Sequence, residues 1–582
     1  MENNNLFKKR HSLAHILLMA VKHHFPHSLP TIGPVIENGF YYDIDFSGGE
    51  KIKPEDLPKL EKTMCEIIDK HLDFKVESVP PLQAEGLFRN NPYKLEIIEG
   101  IKHEGQDVTL YYTGEDFFDL CEGPHIHNTK EITKDSFKLD KLAGAYWRGD
   151  EKNQMLTRIY GLAFDTKEEL ASYEAQLEEA KKRDHKKLGV ELDLFSFSPL
   201  VGPGLPLWSP RGTLVRNLLD DYVWELRKKA NYERVEIPHI TKKELYITSG
   251  HWDKFKDELF RITTREGHEF AMKPMNCPHH TQIYARKLWS YKELPQRYAN
   301  STTCYRDEQT GELSGLSRVR AFTQDDAHVF CRMVQAKEEF LKIWDIVHTF
   351  YKTFGFELRV RISKHDPKTP EKYLGDKNNW AKAEEILTNI AQERKADYFE
   401  GIGEAAFYGP KLDFMAKDAI GREWQVATIQ LDMNMPERFD LTCVNDKGER
   451  ERIVMIHAAI MGSIERFMSI LIEHTGGNFP LWLSPVQVAV IPIGEKHHDY
   501  AKEISERLKA ENIRVTLEDS NDGLGKKVRS AKEMRVPYWI VIGDKDIEAN
   551  KYTLESRDSG QLGQLSQEEI VSRLTKEVKE KQ

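Results

Sequence analysis

The stretch CYRDEQTGELSGLSRVRAFTQDD, residues 304–326, decides the fold. It gathers Arg306, Glu308, Arg318 and Arg320 in one short span. Arginines grouped in this way suit bidentate contact with phosphate and carboxylate oxygens. A dinucleotide-type phosphate site would show a G-x-G-x-x-G turn between a strand and a helix. No such turn lies near this cluster. The sequence therefore predicts an antiparallel sheet flanked by helices, not a Rossmann domain.

On either side of the arginines stand Cys277 in MKPMNCPHH, His328 in RAFTQDDAHVFC and His457 in VMIHAAIMGSIERF. Taken singly, each reads as a core thiol or a satisfied histidine. Together they are three N/S donors from distant segments, which suits a tetrahedral zinc with one position open, as in catalytic sites. A metal beside a phosphate-handling cluster describes an active site.

Composition sets broad limits. The 582 residues are 40% hydrophobic and 31% charged, with a formal net charge of −10. Such a chain forms several domains with real cores. The acidic balance advertises no nonspecific DNA binding, although a local basic groove suffices for RNA. Six cysteines without a paired spacing point to a reducing compartment, and the sequence predicts a cytoplasmic protein without a membrane segment. The N-terminal KKR and the apolar run after it hold His11 and His15 and lack a small-residue cleavage site, so they do not read as a signal peptide.

Four regions follow along the chain: 1–165, 166–188, 189–478 and 484–582. The second, built on KEELASYEAQLEEAKKRDHKKLG, is rich in strong helix formers and reads as one exposed linker helix. Its Lys181, Lys182, Arg183, Lys186 and Lys187 read either as a solvated face that complements the helix dipole or as a tRNA backbone contact. In the fourth region the strand-like runs VQVAVIPI, IRVTLED and VPYWIVIGD alternate with helical patterns, which indicates a small α/β domain with a mostly parallel sheet.

Three further segments place these features in a family. ANYERVEIPHI with Pro238 resembles the dimer-forming first motif of class II aminoacyl-tRNA synthetases, residues 304–322 the second, and MGSIERF with Arg466 the third. All three in order, with the Cys–His–His set on MNCP, DDAH and MIHAA, resemble the threonyl-tRNA synthetases within that class. The resemblance implies an α+β multidomain protein: an α/β editing domain (1–165), the linker helix, a class II catalytic domain (189–478) and an α/β anticodon-binding domain (484–582). It implies ATP-dependent ligation of L-threonine to tRNA(Thr) through threonyl-adenylate by a homodimer, with Mg2+ accompanying ATP and one zinc per subunit on Cys277, His328 and His457. Members of the family usually carry a small ubiquitin-like domain ahead of the editing domain, whereas this sequence opens at the editing motif.

Residue roles come from the same resemblance. Arg306 binds the α-phosphate and carboxylate, Arg318 and Arg466 the γ-phosphate, Glu308 the adenine edge, Phe322 its face and Gln425 the ribose. Met275, Gln324, Asp326, Tyr408, Thr428 and Gln430 line the threonine pocket, where Asp326 accepts the hydroxyl proton, and Lys411 joins Arg306 in catalysis. His251 in TSGHWDKF matches a histidine near the terminal tRNA ribose, where it acts as general base; the plainer reading is a helix-end histidine without chemistry.

A zinc that binds both amino and hydroxyl groups rejects valine but admits serine, since one missing methylene is worth only about 10–200-fold. A second, hydrolytic site for seryl-tRNA(Thr) is therefore expected. RHSLAHIL puts His11 and His15 on one helical face, and DLCEGPHIH adds Asp119, Cys121 and His125. With Lys94 in NPYKLE they resemble the editing domain shared by threonyl- and alanyl-tRNA synthetases. A His–His–Cys–His set has donors enough for zinc, but ester hydrolysis does not require it, so metal-free water activation is favoured. In the anticodon-like domain Asn521, Lys527, Arg529, Lys545 and Asp546 are candidate contacts to unstacked bases and phosphates.

Overall fold

The computed structural model describes residues 5–49 and 51–581. The chain divides into two compact units, residues 1–178 and 179–582.

In the first unit the helix Asn5–His24 buries Leu13, Ala14, Leu17 and Val21 together with Leu60 and Met64 of the helix Leu57–Ile68. These meet Phe40, Tyr42 and Ile44 of the strand Gly39–Asp45, which pairs antiparallel with Met155–Ala163, itself paired with Phe137–Tyr146. A separate antiparallel sheet joins Phe74–Val79, Val108–Thr113 and Phe117–Leu120. His11 and His15 ride on the first helix, and Asp119 on the last of these strands.

The second unit is built on an eight-stranded sheet. Its central strands, Gln296–Tyr305, Ala321–Cys331, Val454–Ser463, Glu423–Asp432, Lys411–Lys417 and Glu357–Lys364, all pair antiparallel. Short parallel strands, Glu233–Arg234 and Tyr398–Ile402, close the two edges. The helix Met333–Thr353 covers one face with Phe340, Ile343, Trp344, Val347 and Phe350 at helical spacing. Each of these buried side chains contributes roughly 1.5–3 kcal/mol against exposure. The helix Ile464–Thr475 packs on the same sheet and begins at Ser463, whose hydroxyl accepts the Arg466 N–H at 3.2 Å.

The C-terminal sheet runs Val515–Leu517, Val488–Pro492, Tyr538–Ile542 in parallel, as the strand–helix alternation predicts. Two antiparallel strands, Tyr552–Ser556 and Gly560–Leu565, extend it. The sequence reading did not include them, because YTLES and GQLGQL lack a continuous apolar run.

The expected single linker helix is two helices, Lys167–Arg183 and His185–Glu191. Asp184 breaks the run by adopting a non-helical conformation and capping the second helix through its carboxylate and the Lys186 N–H at 2.8 Å. Helix propensity alone would have carried the first helix through this point. Among the described residues no helix is long and apolar enough to cross a membrane.

Candidate active site

Sheet register assembles the catalytic constellation. His328 stands opposite His457, His457 opposite Gln430, and Gln430 opposite Lys411. Directly opposed residues share a face of the sheet, so these four side chains form one row across four strands. Two residues along each strand, Thr428 faces Asp413 on the same side. The intervening Ala458, Ile429 and Leu412 turn the other way into the core.

Met275, Cys277, Arg306, Glu308, Arg318, Phe322, Gln324, Asp326, Tyr408, Gln425 and Arg466 join that row around one cavity of about 660 Å³. Of the residues expected in this block, His251 and Arg320 are absent from its wall, and Arg320 instead donates to the Glu308 carbonyl at 2.8 Å.

At the inner end, one donor atom each from Cys277, His328 and His457 lies within 4.8 Å of the others. His328 Nε2 and His457 Nδ1 face each other at 3.0 Å. Their remaining nitrogens are occupied: His457 Nε2 meets Asp432 at 2.9 Å and His328 Nδ1 meets His280 Nδ1 at 2.8 Å. Outer partners of this kind orient metal-binding imidazoles. Burial drives His328 well below its ordinary pKa and Cys277 well above. The imidazole is thus already in its ligand form, while the thiolate needs a cation to exist there. The donor set fits zinc.

At the outer end, Arg306 lies 5.2 Å over the Phe322 ring, and its buried Nε has no hydrogen-bond partner. Among the described residues no carboxylate pairs with Arg466, whose pKa is lowered by burial alone. Two incompletely neutralised guanidiniums in a cleft await anionic oxygens. Arg318 instead donates to Glu308 at 2.8 Å, so these two expected ATP contacts hold one another.

Asp413, fully buried, is a hub that sequence reasoning missed. Its carboxylate takes Thr428 Oγ1 at 2.8 Å, Gln425 Nε2 at 2.9 Å, and Lys411 Nζ and Arg361 at 3.1 Å each. The signal was present in KLDF, where Lys411 and Asp413 alternate onto one face. Asn276 was also missed: it donates to Asp326 Oδ2 at 3.1 Å while its oxygen accepts from the buried Lys273 at 3.1 Å. Burial raises the Asp326 carboxyl to about 6, which brings it close to the working range of a proton acceptor.

His251 is buried beside this cavity, with Nε2 3.1 Å from Met275 Sδ. The Ser249 hydroxyl donates to the Tyr246 carbonyl at 3.2 Å, and its oxygen lies 2.8 Å from His251 Nδ1. Both ring nitrogens thus have a polar neighbour, the Ser249 hydroxyl at Nδ1 and the Met275 thioether at Nε2. Burial lowers the His251 pKa to about 3, so the ring is neutral at physiological pH.

The N-terminal unit holds a second cluster. Cys121 Sγ lies 3.3 Å from both His11 Nε2 and His125 Nε2, and His15 packs 4.4 Å from the His125 ring centre. Lys94 and Asp119, 1% and 4% exposed, form an ion pair at 2.7 Å. Tyr42, which sequence reasoning missed, donates to the other Asp119 oxygen. Ser12, also missed, meets His125 Nδ1 at 3.0 Å. Gly123, at φ +72°, makes the turn, and a Cβ there would collide with the Tyr111 hydroxyl. Burial lowers His11, His15 (to about 3) and His125, and pushes Cys121 up to about 12. The cysteine is a thiol, not a nucleophilic thiolate.

In the C-terminal domain Asn521, Arg529 and Lys545 are exposed. Lys527 is not: it is buried, with Nζ 3.3 Å from the Pro492 carbonyl. Asp546 accepts the Gly543 N–H at 3.0 Å as a helix cap. Both thus serve the domain itself in this structure.

A metal-competent trio and incompletely neutralised arginines on an antiparallel sheet define a class II aminoacyl-tRNA synthetase core. Accordingly, residues 260–475 match the family "tRNA synthetase class II core domain (G, H, P, S and T)". Residues 108–160 match "Threonyl and Alanyl tRNA synthetase second additional domain", and residues 487–577 "Anticodon binding domain". Threonine–tRNA ligases of Flavobacterium johnsoniae and Gloeobacter violaceus are 46% and 47% identical to this chain. Each alignment covers 98% of the chain and, respectively, 88% and 92% of the relative. The RNA binding domain of threonyl-tRNA synthetase from Cryptosporidium parvum superposes with a TM-score of 0.64 at 36% identity, over 68% of this chain and 98% of that one. The chain belongs to the threonyl-tRNA synthetase family.

Proposed function

We propose that this chain ligates L-threonine to tRNA(Thr) in two steps, and that its N-terminal unit hydrolyses seryl-tRNA(Thr). The observation that carries the reading is one cavity lined both by the Cys277–His328–His457 donors and by Arg306, whose nearest carboxylate is Glu258 at 3.9 Å, and Arg466, with which no carboxylate pairs among the described residues. In the first step the threonine carboxylate attacks the α-phosphorus of Mg2+-bound ATP, and pyrophosphate leaves. Arg306 sits where both anions meet, and Arg466 and Arg318 take the departing phosphates. The work is positioning and charge stabilisation. Phe322 provides a flat face for adenine. Gln425, held by Asp413, presents its amide edge to the ribose. Zinc, when bound by Cys277, His328 and His457, supplies a Lewis-acid position for the amino and hydroxyl groups of threonine, which valine cannot both offer. Asp326 accepts the hydroxyl proton, and Tyr408, Gln324, Thr428 and Gln430 shape the pocket around the methyl.

In the second step a terminal ribose hydroxyl of tRNA attacks the adenylate carbonyl, and AMP leaves. The His251 imidazole takes the hydroxyl proton, with Ser249 orienting the ring. His251→Ala is expected to slow transfer to tRNA roughly 100-fold while threonine-dependent exchange stays intact. Single-turnover assays of the two half-reactions separate these, and equal damage to both would assign His251 a structural role.

Two chains pair about a twofold axis in this reading. The two-residue edge strand Glu233–Arg234 offers a pairing edge, and Phe197, Leu200 (98% exposed), Val201 and Leu207 are apolar surface for a partner to cover. Sedimentation at micromolar concentration should give a dimer; a monomer removes this part. All six cysteines are free, in keeping with the cytoplasm. The overall test is threonine-dependent ATP–pyrophosphate exchange, which a binding protein built from synthetase parts would not show.

A further inference from the structure

His185 is a buried titratable side chain, 3% exposed, that has no part in the chemistry above. It opens the second linker helix and lies between two elements that carry arginines of the cavity. Its Nδ1 is 2.6 Å from Glu473 Oε1, and its backbone N–H donates to the same oxygen at 3.2 Å. Its Nε2 accepts the backbone N–H of Leu316 at 3.1 Å. Acceptance at Nε2 puts the ring proton on Nδ1, where it is donated to Glu473.

Leu316 lies in the turn between Ser314 and Arg318, which pair with each other as an isolated antiparallel bridge. The Leu316 side chain is fully buried, and the next residue, Ser317, meets the Ser469 hydroxyl at 2.9 Å. Gly315, at φ +52°, passes so close to His185 that a Cβ would collide with Nε2 and stand 2.7 Å from Lys186 Cγ. The turn is therefore seated on this imidazole, and no side chain fits between them.

On the other side, Glu473 belongs to the helix Ile464–Thr475, whose first turn carries Arg466. Its second oxygen takes Arg422 at 2.6 Å. Arg422 pairs with Asp418 at 2.7 Å, and Asp418 accepts the Trp424 indole N–H at 2.9 Å. The Arg466 guanidinium lies 5.9 Å from the Trp424 ring centre. One imidazole thus joins the turn of Arg318 to the helix and side-chain network of Arg466.

We propose that His185 is a positioning residue for ATP. It fixes the Ser314–Arg318 turn to the helix Ile464–Thr475, so that Arg318 and Arg466 keep the spacing a triphosphate tail requires. The inference rests on the assignment of those two arginines to ATP under the proposed function.

Steady-state ATP–pyrophosphate exchange on the full chain tests it, with KM for ATP, KM for threonine and kcat read separately in His185→Ala, His185→Asn, His185→Gln and Arg318→Ala. Glutamine places an acceptor near Nε2 for Leu316 and keeps the backbone bond to Glu473. Asparagine reaches Glu473 and leaves the Leu316 N–H unpaired. His185→Ala and His185→Asn should raise KM for ATP roughly tenfold, with KM for threonine within about twofold of the parent. His185→Gln should restore KM for ATP to near the parental value. If alanine compromises folding, the asparagine–glutamine contrast alone decides. Equal behaviour of those two, or a parallel rise in both KM values, overturns the inference. So does an unchanged KM for ATP in the His185 variants beside a raised one in Arg318→Ala. An unchanged KM for ATP in Arg318→Ala overturns the assignment of Arg318 to ATP itself.

Discussion

Cys277→Ser is expected to bring bound zinc toward zero per subunit and to abolish threonine activation, with ATP binding largely spared. In the proposed site three protein donors and the substrate would complete the coordination sphere, so loss of one thiolate would remove both the metal and the amino-acid anchor. The serine hydroxyl cannot substitute, because it would have to ionise in a buried pocket already holding Asp326 and Asp432. The ATP contacts proposed above lie on different side chains, Arg306, Phe322, Gln425 and Arg466, and do not need the thiolate. A graded control is Asp432→Asn, which weakens the hold on His457 and should lower zinc affinity on the order of 10–100-fold without eliminating it. Metal analysis and exchange assays check both. A Cys277→Ser protein with full zinc and normal exchange would falsify the metal assignment.

What the sequence made legible, and what it hid, divides along physical lines. The missing glycine-rich phosphate turn spoke against a Rossmann domain, and the antiparallel core was implied by the resemblance to class II synthetases. The site residues of the catalytic block stood out because Arg306, Gln324, Asp326 and His328 are poor core material within strand-like runs. Their convergence was not readable. It depends on register, and pairing His328 with His457 and Gln430 with Lys411 is fixed by contacts between segments up to 129 residues apart. Partners that act through another residue were hidden for the same reason: Asp413, Asp432, Asn276, Ser249 and Tyr42 look ordinary until the fold supplies what they touch. The linker was misread as one helix because propensity dominates over a run of Glu, Lys and Ala. Asp184 reverses it with a local cap that tertiary contacts to Glu473 reinforce. In the C-terminal domain a basic residue was read as a surface contact, yet Lys527 is buried against Pro492. Charge alone does not separate a lysine that bonds its own domain's backbone from one that binds a partner.

His11→Ala combined with His15→Ala should leave threonylation near normal and let seryl-tRNA(Thr) accumulate. Serine differs from threonine by one methyl, worth about 1–3 kcal/mol in a fitted pocket, so a synthetic site that tolerates serine mischarges at a rate that demands clearance. The N-terminal cluster has what hydrolysis of an activated ester requires. Burial keeps His11, His15 and His125 neutral, so that each imidazole has a lone pair with which to orient an attacking water. In the proposed reading Lys94, locked to Asp119 at 2.7 Å, is the charge that stabilises the developing oxyanion. Cys121, held as a thiol, serves as a polar wall that meets both His11 and His125. The second alanine matters because His15 Nδ1 is buried without a hydrogen-bond partner among the described residues, which leaves it free to take over from His11 as acceptor. Removing both imidazoles should slow clearance by roughly 10²–10⁴-fold, the usual range for losing a general base. Purified seryl-tRNA(Thr) incubated with the double variant reads this directly, alongside the Lys94→Ala protein, which should fail in the same assay by losing charge instead of the base. Clearance at the parental rate in the double variant would mean that the ester is hydrolysed elsewhere, and the cluster would then be a structural core of buried histidines.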